Sequence, residues 1–163
     1  MESKNIIFAF HNVSNKINLG FNNISLNKFK KYISFLNSNY KNHQVCFDDG
    51  YKDIYDNVSP VDIQLNKTVF PISGYIDKMN TWDINFYLNR KKHLSKDNIL
   101  EMYVKGWNVG SHGHNHVSYS KLSDKQVFDD LRTSKNILEN VIQSEVNTFT
   151  PPFGYINNRH LKL

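Results

Sequence analysis

Short strand-length runs alternating with stretches of helical periodicity restrict this chain more than any other feature. Residues 6–10 read as a fully buried strand and residues 44–47 as a second buried one. Residues 68–72, 107–111 and 148–150 read as three more, with Pro71 predicting an irregular end to the first of these. Between them lie helical patterns. Leu26, Phe29, Ile33 and Leu36 recur at helical spacing with Tyr32 on the same flank. Ser95 can cap a helix that ends near Gly106, with Leu94 and Ile99 as a hydrophobic staple. Ser123 and Gln126 form a capping box, stapled by Leu122 and Val127. That helix runs to about Ile142 and presents Val127, Leu131, Leu138 and Ile142 on one face. Strand, helix, strand, helix in this order predicts an α/β fold on a parallel sheet, open or barrel-like. The aromatic stretch with Trp82, Phe86 and Tyr87 has no clear element assignment.

The bulk properties narrow the classes further. A chain of 163 residues fits one domain, taken as 1–163. With 39% hydrophobic and 13% aromatic residues, it can bury a core, which argues against disorder. The net charge of +5 comes from scattered lysines, so it reads as a basic solvated surface and no nucleic-acid partner is expected. The single Cys46 excludes an intrachain disulfide and reads as a small buried hydrophobe. No run reaches the roughly twenty apolar residues of a membrane span. Residues 6–10 are too short for a signal-peptide core, so the chain as written is expected in the cytoplasm.

In parallel α/β folds, ligand sites lie at the carboxyl ends of the strands. Three polar clusters fall there: Asp48-Asp49-Gly50, His112-Gly113-His114-Asn115-His116 and Pro151-Pro152-Phe153-Gly154. Adjacent carboxylates repel, and a divalent cation is the usual compensation. By itself Asp48-Asp49-Gly50 is also a plausible turn and helix cap. The histidines change that balance, because three of the seven in the chain fall within five residues. Two imidazoles plus one carboxylate with open positions suit hydrolytic Zn²⁺ or another divalent transition metal. A metal held by one Asp leaves the other free to act as a base. A solvated His-rich loop is the alternative.

These motifs resemble those of the polysaccharide deacetylases, the fourth family of carbohydrate esterases. The resemblance is carried by Phe47-Asp48-Asp49-Gly50, by residues 109–116 and by Phe149-Thr150-Pro151-Pro152-Phe153-Gly154. Flanking text is also similar: Phe10-His11-Asn12-Val13, Trp82-Asp83, His93-Leu94-Ser95 and Gly106-Trp107. The resemblance implies a distorted (β/α) barrel, incomplete here, with the domain truncated at its C-terminal end. It implies Asp49, His112 and His116 as metal ligands and Asp48 as general base. The backbone N–H of Phe153 would donate to the oxyanion, in a loop fixed by Pro152 and its neighbour. The reaction would be hydrolysis of the acetamide of N-acetylated amino sugars in a polysaccharide or oligosaccharide.

Further expectations attach to this reading. His11 is a candidate substrate contact, whereas His114 is expected not to be a ligand. Tyr75, Trp82 and Tyr155 are candidates for sugar stacking, with core packing as the competing role. Many family members carry an arginine where this chain has Thr150, and a histidine on a later strand protonates the leaving amine; His160 is not at a matching motif. The competing function is a catalytically impaired metal- or carbohydrate-binding remnant. An oligomer covering the open side of the barrel is an expected partner arrangement.

Overall fold

The computed structural model describes residues 6–16, 22–40, 43–82 and 90–160. Asp83, Phe86 and Tyr87 lie outside them. The elements follow the predicted alternation. Strands β1 (Ile7–Phe10), β2 (Asn12–Val13) and β3 (Asn23–Ile24) precede helix α1 (Leu26–Asn39). Then come β4 (Gln44–Phe47), β5 (Asn66–Val69), α2 (Lys96–Val104), β6 (Asn108–Val109) and α3 (Asp124–Ile142). The sheet runs β1-β4-β5-β6 with every pairing parallel, and β2 and β3 pair separately. Ser111 bridges in parallel to Phe149, which carries the direction of the sheet one segment past β6. This is the α/β architecture with a parallel sheet, and the described strands do not close into a barrel.

The helices start where their caps are written. The Ser95 and Ser123 side chains accept from the N–H groups of Asn98 and Gln126, and those side chains return to the cap N–H groups. Asn98 makes the first of these a full capping box, which the sequence pattern had not predicted. α1 buries Phe29, Ile33 and Leu36, while α2 contributes Ile99 and Met102 and α3 Leu138 and Ile142 to the same core. Val45, Phe47, Val69 and Val109 of the strands complete it. No helix among the described residues is long and apolar enough to cross a membrane.

Three expectations need correction. β1 is not fully buried: Ile7 is 59% exposed, and only Phe8 and Phe10 turn inward, onto Tyr40 and Phe29. Side chains alternate along the strand, so Ile7 and Ala9 face solvent while Phe8 and Phe10 pack. β5 starts at Asn66 and its pairing ends at Val69, because backbone register against Gln44–Phe47 outweighs side-chain polarity. Tyr32 does not join the buried flank of α1; it is 45% exposed beside the Lys28 ammonium.

Candidate functional site

A parallel sheet delivers every strand's carboxyl end to one rim. β1 leads into His11, β4 into Asp48, β5 through Phe70 into Pro71, and β6 through Gly110 into Ser111-His112. Asp48, Asp49, His112 and His116 line one rim cavity of about 330 Å³, together with His11, Asn22, Trp82, Thr150, Pro151, Phe153 and Gly154. That volume is in the range of small-ligand sites.

The Asp-Asp-Gly turn is tightly specified. The Asp48 N–H still donates to Phe10 O at 2.9 Å, as a continuing strand residue would. Asp49 and Gly50 then both take φ of 67°. A side chain at Gly50 would place its Cβ 2.8 Å from Pro71 Cα, so conformation and space both demand glycine there. Asp49 is 1% exposed, and its backbone carbonyl accepts from Nδ1 of the buried His93 at 2.9 Å.

His112 and His116 converge on the Asp49 side chain. Each Nε2 lies 3.4 Å from Asp49 Oδ1. His112 Nδ1 faces the carbonyl of Thr150 at 2.9 Å. A carbonyl only accepts, so Nδ1 carries the hydrogen and the neutral ring aims the Nε2 lone pair at a carboxylate. Two acceptors in a dry site repel unless a proton or a cation lies between them. The spacing favours a cation: 3.4 Å exceeds ordinary N–H···O lengths. It matches two atoms each about 2.0–2.1 Å from a tetrahedral ion. The ligand atoms of these three residues all lie within 4.8 Å of one another, and Asp49 Oδ2 is buried without a partner among the described residues. The donor set therefore fits a divalent metal of the zinc type.

Electrostatics separates the two carboxylates. Burial pushes Asp49 upward, but its contacts with and attraction to His112 and His116 outweigh this and hold it well below the usual carboxylate range. Burial pushes Asp48 above its ordinary value, against the pull of His112 and then His11. Asp48 Oδ1 is buried without a partner among the described residues. For His112, burial favours the neutral ring, yet Asp49 and the field of Asp48 raise its pKa. Cys46, 8% exposed, is pushed up to about 12 by burial and then by Asp48, as a buried hydrophobe would be.

The remaining predicted residues divide. His11 lines the cavity, as does Trp82, whose ring packs 4.0 Å from that of His116. Phe153 covers the other side of His116 at 4.8 Å. Pro152 does not line the cavity: it is buried toward Gly113, and Pro151 takes the rim position. The His114 ring bonds to Ser73 Oγ at 2.9 Å. Tyr75 packs on His93, and Tyr155 is exposed away from the cavity lining. His160 is buried beside Asp124 and Arg159. Of the five non-glycine residues with φ in the left-handed region among those described, Asp49, His116 and Phe153 line this one cavity. Such conformations cost of order 1–3 kcal/mol each and persist where surrounding structure holds them.

Three contributors escaped the sequence reading. His93 holds the Asp49 carbonyl, and Asp130 with Ser134 anchors the loop between the two imidazoles. Asp130 and Ser134 interrupt an apolar helical stripe, which is a signal that could have been read.

Comparisons with known proteins agree with this fold. The polysaccharide deacetylase family profile matches residues 37–163. A poly-beta-1,6-N-acetyl-D-glucosamine N-deacetylase from Staphylococcus epidermidis is 28% identical over 149 residues, 85% of this chain and 50% of that protein. A peptidoglycan-N-acetylglucosamine deacetylase from Bacillus cereus is 28% identical over 125 residues, 77% of this chain and 52% of that protein. The chain thus spans about half the length of these curated relatives. The Streptococcus pyogenes deacetylase PplD, solved with acetate, superposes with a TM-score of 0.80 at 17% identity, over 98% of this chain and 78% of that one.

Proposed function

Because the chain belongs to the polysaccharide deacetylase family, we propose that it is a metal-dependent N-deacetylase acting on N-acetylated amino sugars of a polysaccharide. The observation that carries this is the placement of Asp49 Oδ1 at 3.4 Å from both imidazole Nε2 atoms, with His112 Nδ1 already committed to Thr150 O. Asp49, His112 and His116 would hold the ion. When bound there, Zn²⁺ or another divalent transition metal supplies Lewis acidity toward the acetamide carbonyl and the attacking water. Asp48 takes the proton of that water. Its buried Oδ1 has an acceptor site to spare, which supports that role. The Phe153 N–H is the donor proposed for the developing oxyanion, on a loop stiffened by Pro151 and Pro152. His11 lines the same cavity, which supports its proposed role as a substrate contact. The curated relatives named for N-acetylglucosamine polymers and for peptidoglycan support this substrate class.

A binding role without turnover is favoured by one observation: Thr150 stands where many family members place an arginine beside the base. Two measurements separate the readings. The purified chain is expected to hold about one divalent ion, lost in His116→Ala. It is also expected to release acetate from an N-acetylglucosamine oligomer, and Asp48→Asn is expected to slow that release by about 10²–10⁴ while keeping the ion. Metal retention with no acetate release from the unaltered chain would leave the binding role. No metal retention would remove both.

A further inference from the structure

Of the six backbone N–H and C=O groups between His112 and His116, five bond to partners outside the segment. The Gly113 N–H donates to Ser111 Oγ at 3.1 Å, and Gly113 O accepts from Ser134 Oγ and from the Ser73 N–H, each at 3.1 Å. His114 O accepts from the Gly74 N–H at 3.0 Å. The two N–H groups in the middle of the loop converge on one carboxylate. Asp130 Oδ2 accepts from the His114 N–H at 2.8 Å and from Tyr119 Oη at 2.8 Å. Asp130 Oδ1 accepts from the Asn115 N–H at 3.0 Å and from Asn115 Nδ2 at 2.8 Å.

Asp130 lies on α3 and is 5% exposed. All four donors are neutral, so this is a buried carboxylate held by hydrogen bonds, each oxygen accepting two. A surface helix gains nothing from a carboxylate on its inner face unless the groups opposite require an acceptor. Here they do, because the loop turns back on itself with φ of 75° at Gly113 and 53° at His116. The packing is equally specific: a Cβ on Gly113 would lie 2.8 Å from Asp130 Oδ2 and 2.8 Å from Tyr119 Oη.

We propose that Asp130 is a positioning residue for the His112–His116 pair: by clamping the His114 and Asn115 N–H groups, it holds the loop in ligand-ready shape before any ion arrives. The inference rests on the reading that Asp49, His112 and His116 bind a divalent cation. Asp130 lies outside that set and acts through the loop, by the His114 and Asn115 N–H groups and the Asn115 side-chain amide.

Asp130→Asn tests it, because the side chain keeps its volume while one acceptor oxygen becomes an NH₂ group facing two donors. A role in filling space tolerates this change, whereas a clamp does not. Co²⁺ serves as the probe, titrated into the unaltered chain, Asp130→Asn and His116→Ala. The unaltered chain is expected to bind and His116→Ala to fail. Asp130→Asn is expected to bind about 10–100-fold more weakly, with shifted visible absorption bands of the bound ion. Unchanged affinity and bands in Asp130→Asn would overturn the clamp and leave the metal reading standing. Failure of the unaltered chain to bind would overturn both.

Amide hydrogen exchange on the unaltered chain gives an answer even if the variant does not fold. With no metal added, the His114 and Asn115 amides are expected to exchange as slowly as those of β5, and Co²⁺ is expected not to slow them further. Free exchange that becomes protected only on adding Co²⁺ would mean that the ion, not Asp130, shapes the loop.

Discussion

One stripe of α3 serves two different neighbours. Toward its carboxyl end, Leu138 and Ile142 are buried with Ile99 and Met102 in the apolar core. Toward its amino end, Asp130 and Ser134 sit on the same stripe at four-residue spacing and are as deeply buried, 5% and 0% exposed. Helical periodicity places all four on one face. What differs is the surface opposite, which is hydrocarbon for the first pair and loop backbone rich in N–H and C=O groups for the second. The same contrast runs through the whole molecule. The core is stabilised by apolar burial, whereas the rim holds ionisable groups, left-handed residues and unpartnered buried oxygens. Substitutions should therefore separate activity from stability according to the side of this boundary on which they fall.

The largest expected effect is at the rim. Asp48→Asn should reduce acetate release from an N-acetylglucosamine oligomer by about 10²–10⁴, the span of general-base contributions. Its melting temperature should hold or rise, since the substitution removes a buried charge whose Oδ1 has no partner among the described residues. A large loss of stability would break the contrast by making Asp48 structural. Leu138→Ala should do the reverse, costing about 2–5 kcal/mol in denaturant unfolding while the Co²⁺ stoichiometry of the folded fraction stays unchanged. Tyr119→Phe falls on the boundary. It removes one of the four bonds to Asp130 and should cost about 1.5–3 kcal/mol by denaturant unfolding, the range for bonds to a charged group. A neutral result would show that the other three donors suffice. The smallest effect should come from Ser123→Ala, which removes the α3 cap outside the cavity lining and should cost about 1 kcal/mol, with acetate release and metal content unchanged.

Legibility from sequence followed the same line. Elements whose cause is local were readable: the α2 and α3 caps from Ser95 and from Ser123 with Gln126, and the inner face of α1 from Phe29, Ile33 and Leu36. Features whose cause is a neighbour distant in the chain were missed. β1 carries an unbroken apolar run, yet the fold covers only its Phe8 and Phe10 face and leaves Ile7 in solvent. Nothing near Asn66 announces a strand, because its partner is Gln44. Pro151 and Pro152 are equivalent as text, and only the fold turns one to the cavity and the other toward Gly113. Asp130 was hidden because a residue tabulated as polar is expected to face water, and its four donors come from residues 11 to 16 positions earlier.

The order and chemical identity of the motifs, read alone, determined the fold class, the family and the group of side chains able to hold an ion, because strand length, helical period and ligand chemistry are properties of residues in succession. The tertiary structure alone decided that Asp49 Oδ1 stands 3.4 Å from two imidazoles, that Asp48 is pushed up while Asp49 is held down, and that Asp130 clamps the loop between the histidines. Distance, desolvation and hydrogen-bond partnership depend on which segments meet, and the linear order of residues does not specify those meetings one by one.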